Sequence, residues 1–143
     1  MPRLALTAAL IAALLGMALG GNRMILATRN DVWLLANAPL LAPDYLEDRP
    51  GQYDALYLPR ATYHTGDLNI HDVALSGEDV ILVNTRFSCL ARLSADFHFE
   101  PVWRPRFITE LAPEDRCHLN GLAMSDGEPA YVTTVSRSEV GTG

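Results

Sequence analysis

Val73-Ala74-Leu75-Ser76-Gly77-Glu78-Asp79-Val80-Ile81-Leu82-Val83-Asn84 decides how this chain is read. Two apolar runs of strand length flank a link of Ser, Gly, Glu and Asp. Such a link supplies the positive-φ positions of a tight hairpin. The runs are continuous rather than alternating, which predicts strands covered on both faces. The pattern returns on either side. Upstream, Met17-Ala18-Leu19-Gly20-Gly21 precedes Met24-Ile25-Leu26-Ala27-Thr28. Downstream, Leu122-Ala123-Met124-Ser125-Asp126-Gly127 precedes Ala130-Tyr131-Val132-Thr133. Ala18, Ala74 and Ala123 hold the same place in the three first runs. Ala27, Val83 and Val132 hold the same place in the second runs.

Further strands are expected outside these hairpins. Val32-Trp33-Leu34-Leu35 and the alternating Phe87–Leu93 read as third strands. Phe97-His98-Phe99 and Val102-Trp103 read as a fourth strand or an edge, and Tyr53–Leu58 as a strand inside the Pro-containing connection Asn37–Asn69. A second long connection, Arg104–Arg116, carries Pro105 and Pro113. Long ordered loops on a β scaffold often carry function. A repeat of about fifty residues with up to four strands is the pattern of propeller blades. The rival architecture is a sandwich of hairpins. The fold class expected is all-β: propeller-like repeated blades, incomplete at about two to three, behind an apolar helical leader. The domain division is 1–15 for the leader and 16–143 for the partial propeller.

The leader is apolar from Leu4 to Gly20 except for Thr7, and Arg3 precedes it. With small residues at Ala18 and Gly20 it has the form of an export signal. It is short and soft for a membrane span. Cleavage after Gly20 would delete the first strand of the first repeat, so the second reading is a misjudged start that replaces an upstream strand. Membrane contact is expected only through this leader, and export only if residues 1–20 act as a signal.

The chain has 143 residues, 11 basic and 17 acidic side chains, and a net charge of -6. No basic stripe exists to neutralise phosphates, which excludes a nucleic-acid binder. The two cysteines, Cys89 and Cys117, make no disulfide framework and lie in no metal-binding spacing, so they read as small buried hydrophobes. No phosphate-binding glycine loop or dinucleotide fingerprint is present. Ser88 lacks the G-x-S-x-G setting of a nucleophile.

Asn84-Thr85-Arg86-Phe87-Ser88-Cys89-Leu90 and Glu110-Leu111-Ala112-Pro113-Glu114-Asp115-Arg116-Cys117-His118-Leu119-Asn120-Gly121-Leu122-Ala123 resemble a bacterial family of conserved hypothetical proteins. Leu58-Pro59-Arg60, Thr65-Gly66-Asp67, Ile70-His71-Asp72 and Trp103-Arg104-Pro105 add to the resemblance, which covers roughly Gly16 to Val135. It implies a propeller, sometimes joined to tetratricopeptide repeats, with more blades on either side, cytoplasmic residence and no assigned activity. Asn120–Gly127 followed by Tyr131-Val132-Thr133 is similar, more weakly, to a blade of the gluconolactonase and regucalcin group. That likeness implies an asparagine that helps bind a divalent metal at the axis.

His71 and Asp72 precede the first strand of the second repeat, and His118 and Asn120 precede that of the third. Radial blades would gather all four at one mouth of a central channel. Imidazole nitrogens and carboxylate or amide oxygens suit a divalent metal, and imidazole suits acid–base work. The competing role is to satisfy backbone groups at blade junctions. Arg86 and Arg116 are candidate anion ligands through their planar forks, or else structural ion-pair members, with Asp115-Arg116 as one pair. Three functions stand open: a binding or scaffold module for a protein or small-molecule partner, a metal-dependent hydrolase of the lactonase type, and a truncated product with no function of its own.

Overall fold

The computed structural model describes residues 15–139, all as strands, turns and loops. The helical leader expected over residues 1–15 lies outside the described residues except for Leu15. That residue already belongs to the first sheet: its backbone N–H donates to Ala27 O at 2.9 Å. Among the described residues no helix is long and apolar enough to cross a membrane.

Three antiparallel sheets follow one another along the chain. Sheet 1 runs β1 (Gly16–Gly20), β2 (Arg23–Ala27), β3 (Asp31–Asn37), β4 (Tyr57–His64). Sheet 2 runs β5 (Ile70–Ser76), β6 (Asp79–Asn84), β7 (Cys89–Arg92), β8 (Glu100–Trp103). Sheet 3 holds β9 (Leu119–Ser125) and β10 (Glu128–Thr134). The three expected hairpins are β1–β2, β5–β6 and β9–β10. Ala18 pairs with Ile25, Ala74 with Ile81 and Ala123 with Tyr131. Each turn has two residues. Gly77 opens the second at φ 57°, the sign that a type II′ hairpin requires at its first central position. Asp126 and Gly127 are both positive, as in type I′.

The continuous apolar runs are buried on both faces, as their composition requires. Met24 to Ala27 and Val80 to Val83 are at most 6 % exposed. Successive side chains of β6 leave opposite faces of the sheet. Val80 and Leu82 therefore join Ile25, Ala27, Val32, Ile70 and Val73 in the core between sheets 1 and 2. Ile81 and Val83 join Leu90, Ile108, Cys117 and Leu119 between sheets 2 and 3. Met24 and Leu26 of β2 pack on the far side with Leu35 and Trp33. Each fully buried Leu, Ile or Val contributes about 1.5–3 kcal/mol, so the middle strand of sheet 2 stabilises two interfaces at once.

The first strands of the sheets lie side by side, β1 against β5 and β5 against β9. The first contact is close. A Cβ on Gly16 would stand 3.1 Å from Asp72 Cα and 3.2 Å from Asp72 C, which is why that position holds no side chain.

The strand expected at Tyr53–Leu58 lies instead at Tyr57–His64. Pro59 sits inside it, beside the register shift opposite Leu34 and Leu35. Proline is tolerated there because β4 is an edge strand and the ladder is already broken. The connection before it is closed at its neck: Ala38 N–H donates to Leu56 O at 2.7 Å, and Leu56 N–H to Asn37 Oδ1 at 3.1 Å. The fourth strand of sheet 2 is Glu100–Trp103, without Phe97-His98-Phe99.

Candidate site at the start of the first strands

The residues just before β5 and β9 have matching backbones. Asn69 (φ 50°) precedes Ile70, and His118 (φ 47°) precedes Leu119. Both take the left-handed conformation that asparagine tolerates better than most residues. This kink sends the next residues of each repeat toward the same place. There the structure brings His71, Asp72, His118 and Asn120 together.

His71 Nδ1 and Asn120 Oδ1 are 2.8 Å apart. His118 Nδ1 and Asp115 Oδ2 are 2.7 Å apart. An amide oxygen or a carboxylate can only accept, so each ring keeps its proton on Nδ1. The two imidazoles meet edge to face, with centroids 4.8 Å apart and planes at 89°. Their Nε2 atoms have no hydrogen-bond partner among the described residues. Asp115 Oδ1 is buried and also lacks one. The cluster is therefore rich in unused acceptors.

Asp72 has a different part. Its Oδ1 accepts from Val73 N–H at 2.8 Å and its Oδ2 from Leu122 N–H at 2.9 Å. Both carboxylate oxygens thus hold backbone amides, one of them across the junction between sheets 2 and 3.

A divalent metal fits this donor set poorly. Asp72 is committed to the backbone, and among the described residues no three His, Cys, Asp or Glu side chains stand where they could share an ion. Structural and catalytic zinc sites need three or four protein ligands.

Arg86 and Arg116 flank the cluster through Asp115, whose N–H donates to Arg86 O at 2.9 Å, but their side chains bond carboxylates rather than the histidines, each in an ion-pair network. Arg29 grips Asp67 with two of its nitrogens, Nε to Oδ1 at 2.8 Å and Nη2 to Oδ2 at 2.9 Å, and Arg86 Nη1 reaches Asp67 Oδ2 at 3.2 Å. The hydrogen bond and charge of Arg29 hold the Asp67 carboxyl below its usual range. Arg116 bonds Glu110 at 2.6 Å and Glu114 at 2.9 Å. It does not pair with Asp115, whose positive φ (50°) turns it to His118. Arg29 was not singled out from the sequence, although Thr28-Arg29 and Thr85-Arg86 follow the second strands of sheets 1 and 2 alike. Asp115 was missed as the partner of His118 because only the folded turn shows it.

Cys89 and Cys117 are both free and fully buried. Burial pushes the Cys89 thiol up to about 12. Cys117 N–H donates to Ser88 Oγ at 3.4 Å, which gives that serine a structural role.

The family model of a domain of unknown function, DUF4915, matches residues 2–143. The chain belongs to that family. No curated protein and no solved structure matches it. The family description assigns no activity, so a functional reading of this member rests on the acceptor cluster and its surroundings.

Proposed function

We propose that the three sheets are radial blades of a propeller and that the chain is a binding module. Its ligand-facing residues are His71, His118 and Asn120, with Asp115 beneath them. The neighbouring inner strands β1, β5 and β9 support the blade arrangement. The observation that carries the ligand reading is the pair of edge-to-face imidazoles, both fixed through Nδ1 and both left with Nε2, beside an unpartnered carboxylate oxygen. Acceptors without partners bind hydrogen-bond donors. The chemistry favoured is a donor-rich small molecule or side chain, such as a polyol, an amine or a peptide amide. An anion is disfavoured, because the nearby arginines are engaged by carboxylates.

The test is imidazole nitrogen NMR of the folded chain against polyols, diamines and short amide-bearing peptides. Saturable shifts at His71 and His118 that vanish in His118→Ala and in Asn120→Ala support the reading. Ligands that bind equally to wild type and variants, or a panel that leaves both rings unmoved, overturn it.

A further inference from the structure

The connection from β7 to β8 folds back over the junction of sheets 1 and 2. Leu93 and Phe99 at its two ends pack on the core between those sheets, and Phe99 meets Phe87 with ring centroids 5.0 Å apart. Between these anchors Ser94 shapes the tip. Its Oγ donates to Glu100 Oε1 at 2.9 Å and accepts from the N–H groups of Asp96 and Phe97 at 3.3 and 3.2 Å. The tip stands against the last residues of β4, and a cleft of about 320 Å³ lies between them. Tyr63 and His64 form one wall, and Asp96, Phe97 and His98 the other. The His98 ring also touches the backbone turn at Gly66, where a Cβ would stand 3.6 Å from its Cδ2. Both walls are segments with described strands before and after them.

The carboxylates around this junction are answered, with one exception. Asp31 holds His64 Nδ1, Glu100 holds Arg92 and Ser94, and Asp67 holds Arg29 and Arg86. The Asp96 carboxylate has no partner among the described residues, and neither has the His98 ring. His64 gives its Nδ1 proton to Asp31, which leaves Nε2 as an acceptor. No arginine lines the cleft. At its lip the Phe97 ring is 70 % exposed, and Tyr63 adds a second ring from the opposite wall.

A lone carboxylate, imidazole acceptors and open aromatic faces call for one kind of group: a flat cation with several N–H donors. We propose that this cleft binds a guanidinium. The fork pairs with both oxygens of Asp96, the plane lies on Phe97, and a remaining N–H reaches an imidazole nitrogen. The volume is at the small end of ligand pockets, so the cleft takes one side chain or a small guanidine. The inference does not depend on the ligand proposed above, since the cleft is lined by none of the residues of the histidine cluster between sheets 2 and 3.

The test is imidazole and amide NMR of the full chain against two probes, ethylguanidinium and a capped glycine pentapeptide with a central arginine. The expected result is saturable shifts at His64 and His98 with His71 and His118 unmoved. Equal affinity for the two probes assigns the site to a small molecule, and tighter binding of the peptide assigns it to a polypeptide. Asp96 and Phe97 are exposed, so their variants keep the fold. Asp96→Asn weakens binding about tenfold and Phe97→Ala about threefold. Putting citrulline, a neutral isostere, in place of the peptide's arginine abolishes the shifts. No saturable shift at His64 or His98 up to tens of millimolar probe overturns the proposal. So does a citrulline peptide that binds as tightly as the parent, or an Asp96→Asn chain that binds like wild type.

Discussion

Asp72→Ala tests whether the second and third sheets are joined by a side chain rather than by packing alone. The carboxylate accepts two backbone amides, Val73 at 2.8 Å and Leu122 at 2.9 Å. A hydrogen bond to a charged acceptor contributes about 1.5–3 kcal/mol, and an amide left half-buried without a partner costs a similar amount. The Val73 amide is next to Asp72 in the chain and can find water. The Leu122 amide lies against sheet 2, so most of the loss falls there. The expected destabilisation is about 2–3 kcal/mol. With a urea dependence of about 2 kcal/mol per molar, the unfolding midpoint falls by about 1–1.5 M. Asp72→Asn keeps one acceptor and turns an N–H pair toward the other amide, so it recovers less than half. Hydrogen exchange adds a local reading: the Leu122 amide loses protection, while Val80 to Val83 keep theirs. A midpoint shift under about 0.25 M, or unchanged protection at Leu122, would refute the reasoning.

Three further outcomes are expected. Gly16→Ala drives a Cβ against the backbone of Asp72, whereas a Cβ at Gly20 meets only the flexible end of Leu75 at 2.7 Å. Gly16→Ala therefore destabilises by about 1–3 kcal/mol and Gly20→Ala by clearly less, and urea melts that rank them the other way would contradict the contact. Because Asp67 is held below its ordinary carboxylate range, its pairing stabilises the fold above that range and is lost as pH falls through the lowered value. Thermal melts should show a shallower acid limb for Asp67→Asn than for wild type below about pH 4, and parallel limbs would show that the pair contributes nothing. The buried thiols, with Cys89 pushed up to about 12, should stay silent to a thiol-disulfide reagent at pH 8 and react when urea unfolds the chain. Rapid labelling of the native protein would disprove their burial.

The three hairpins were legible because turn glycines and apolar runs speak locally. The meeting of His71 with Asn120 and His118 was legible too, because matching positions in a repeat converge when the repeats stack. β4 was misplaced because Pro59 reads as a strand terminator, and only an edge position beside a register shift makes it acceptable. The burial of both faces of β6 followed from its unbroken apolar run, whereas the exposure of β10 did not: it depends on which neighbour covers the sheet. The part played by Asp72 is the competing role that the sequence left open, satisfying backbone groups at a junction between repeats. A carboxylate next to a histidine looks like chemistry in a sequence, and only the position of the Leu122 amide shows that it holds two sheets together. The pairing of Arg29 with Asp67 is likewise a product of two distant loops meeting.

Each sheet leans on the one before it through a small set of ties. Arg23 reaches the carbonyls of Gly77 and Glu78, Arg29 reaches Asp67, and Asp72 reaches Leu122. Mechanically this is a row of panels bonded along their faces by the shared cores and pinned at their edges by these ties. A change at one pin, such as Asp72, is therefore felt in the sheet it fastens to as well as in its own.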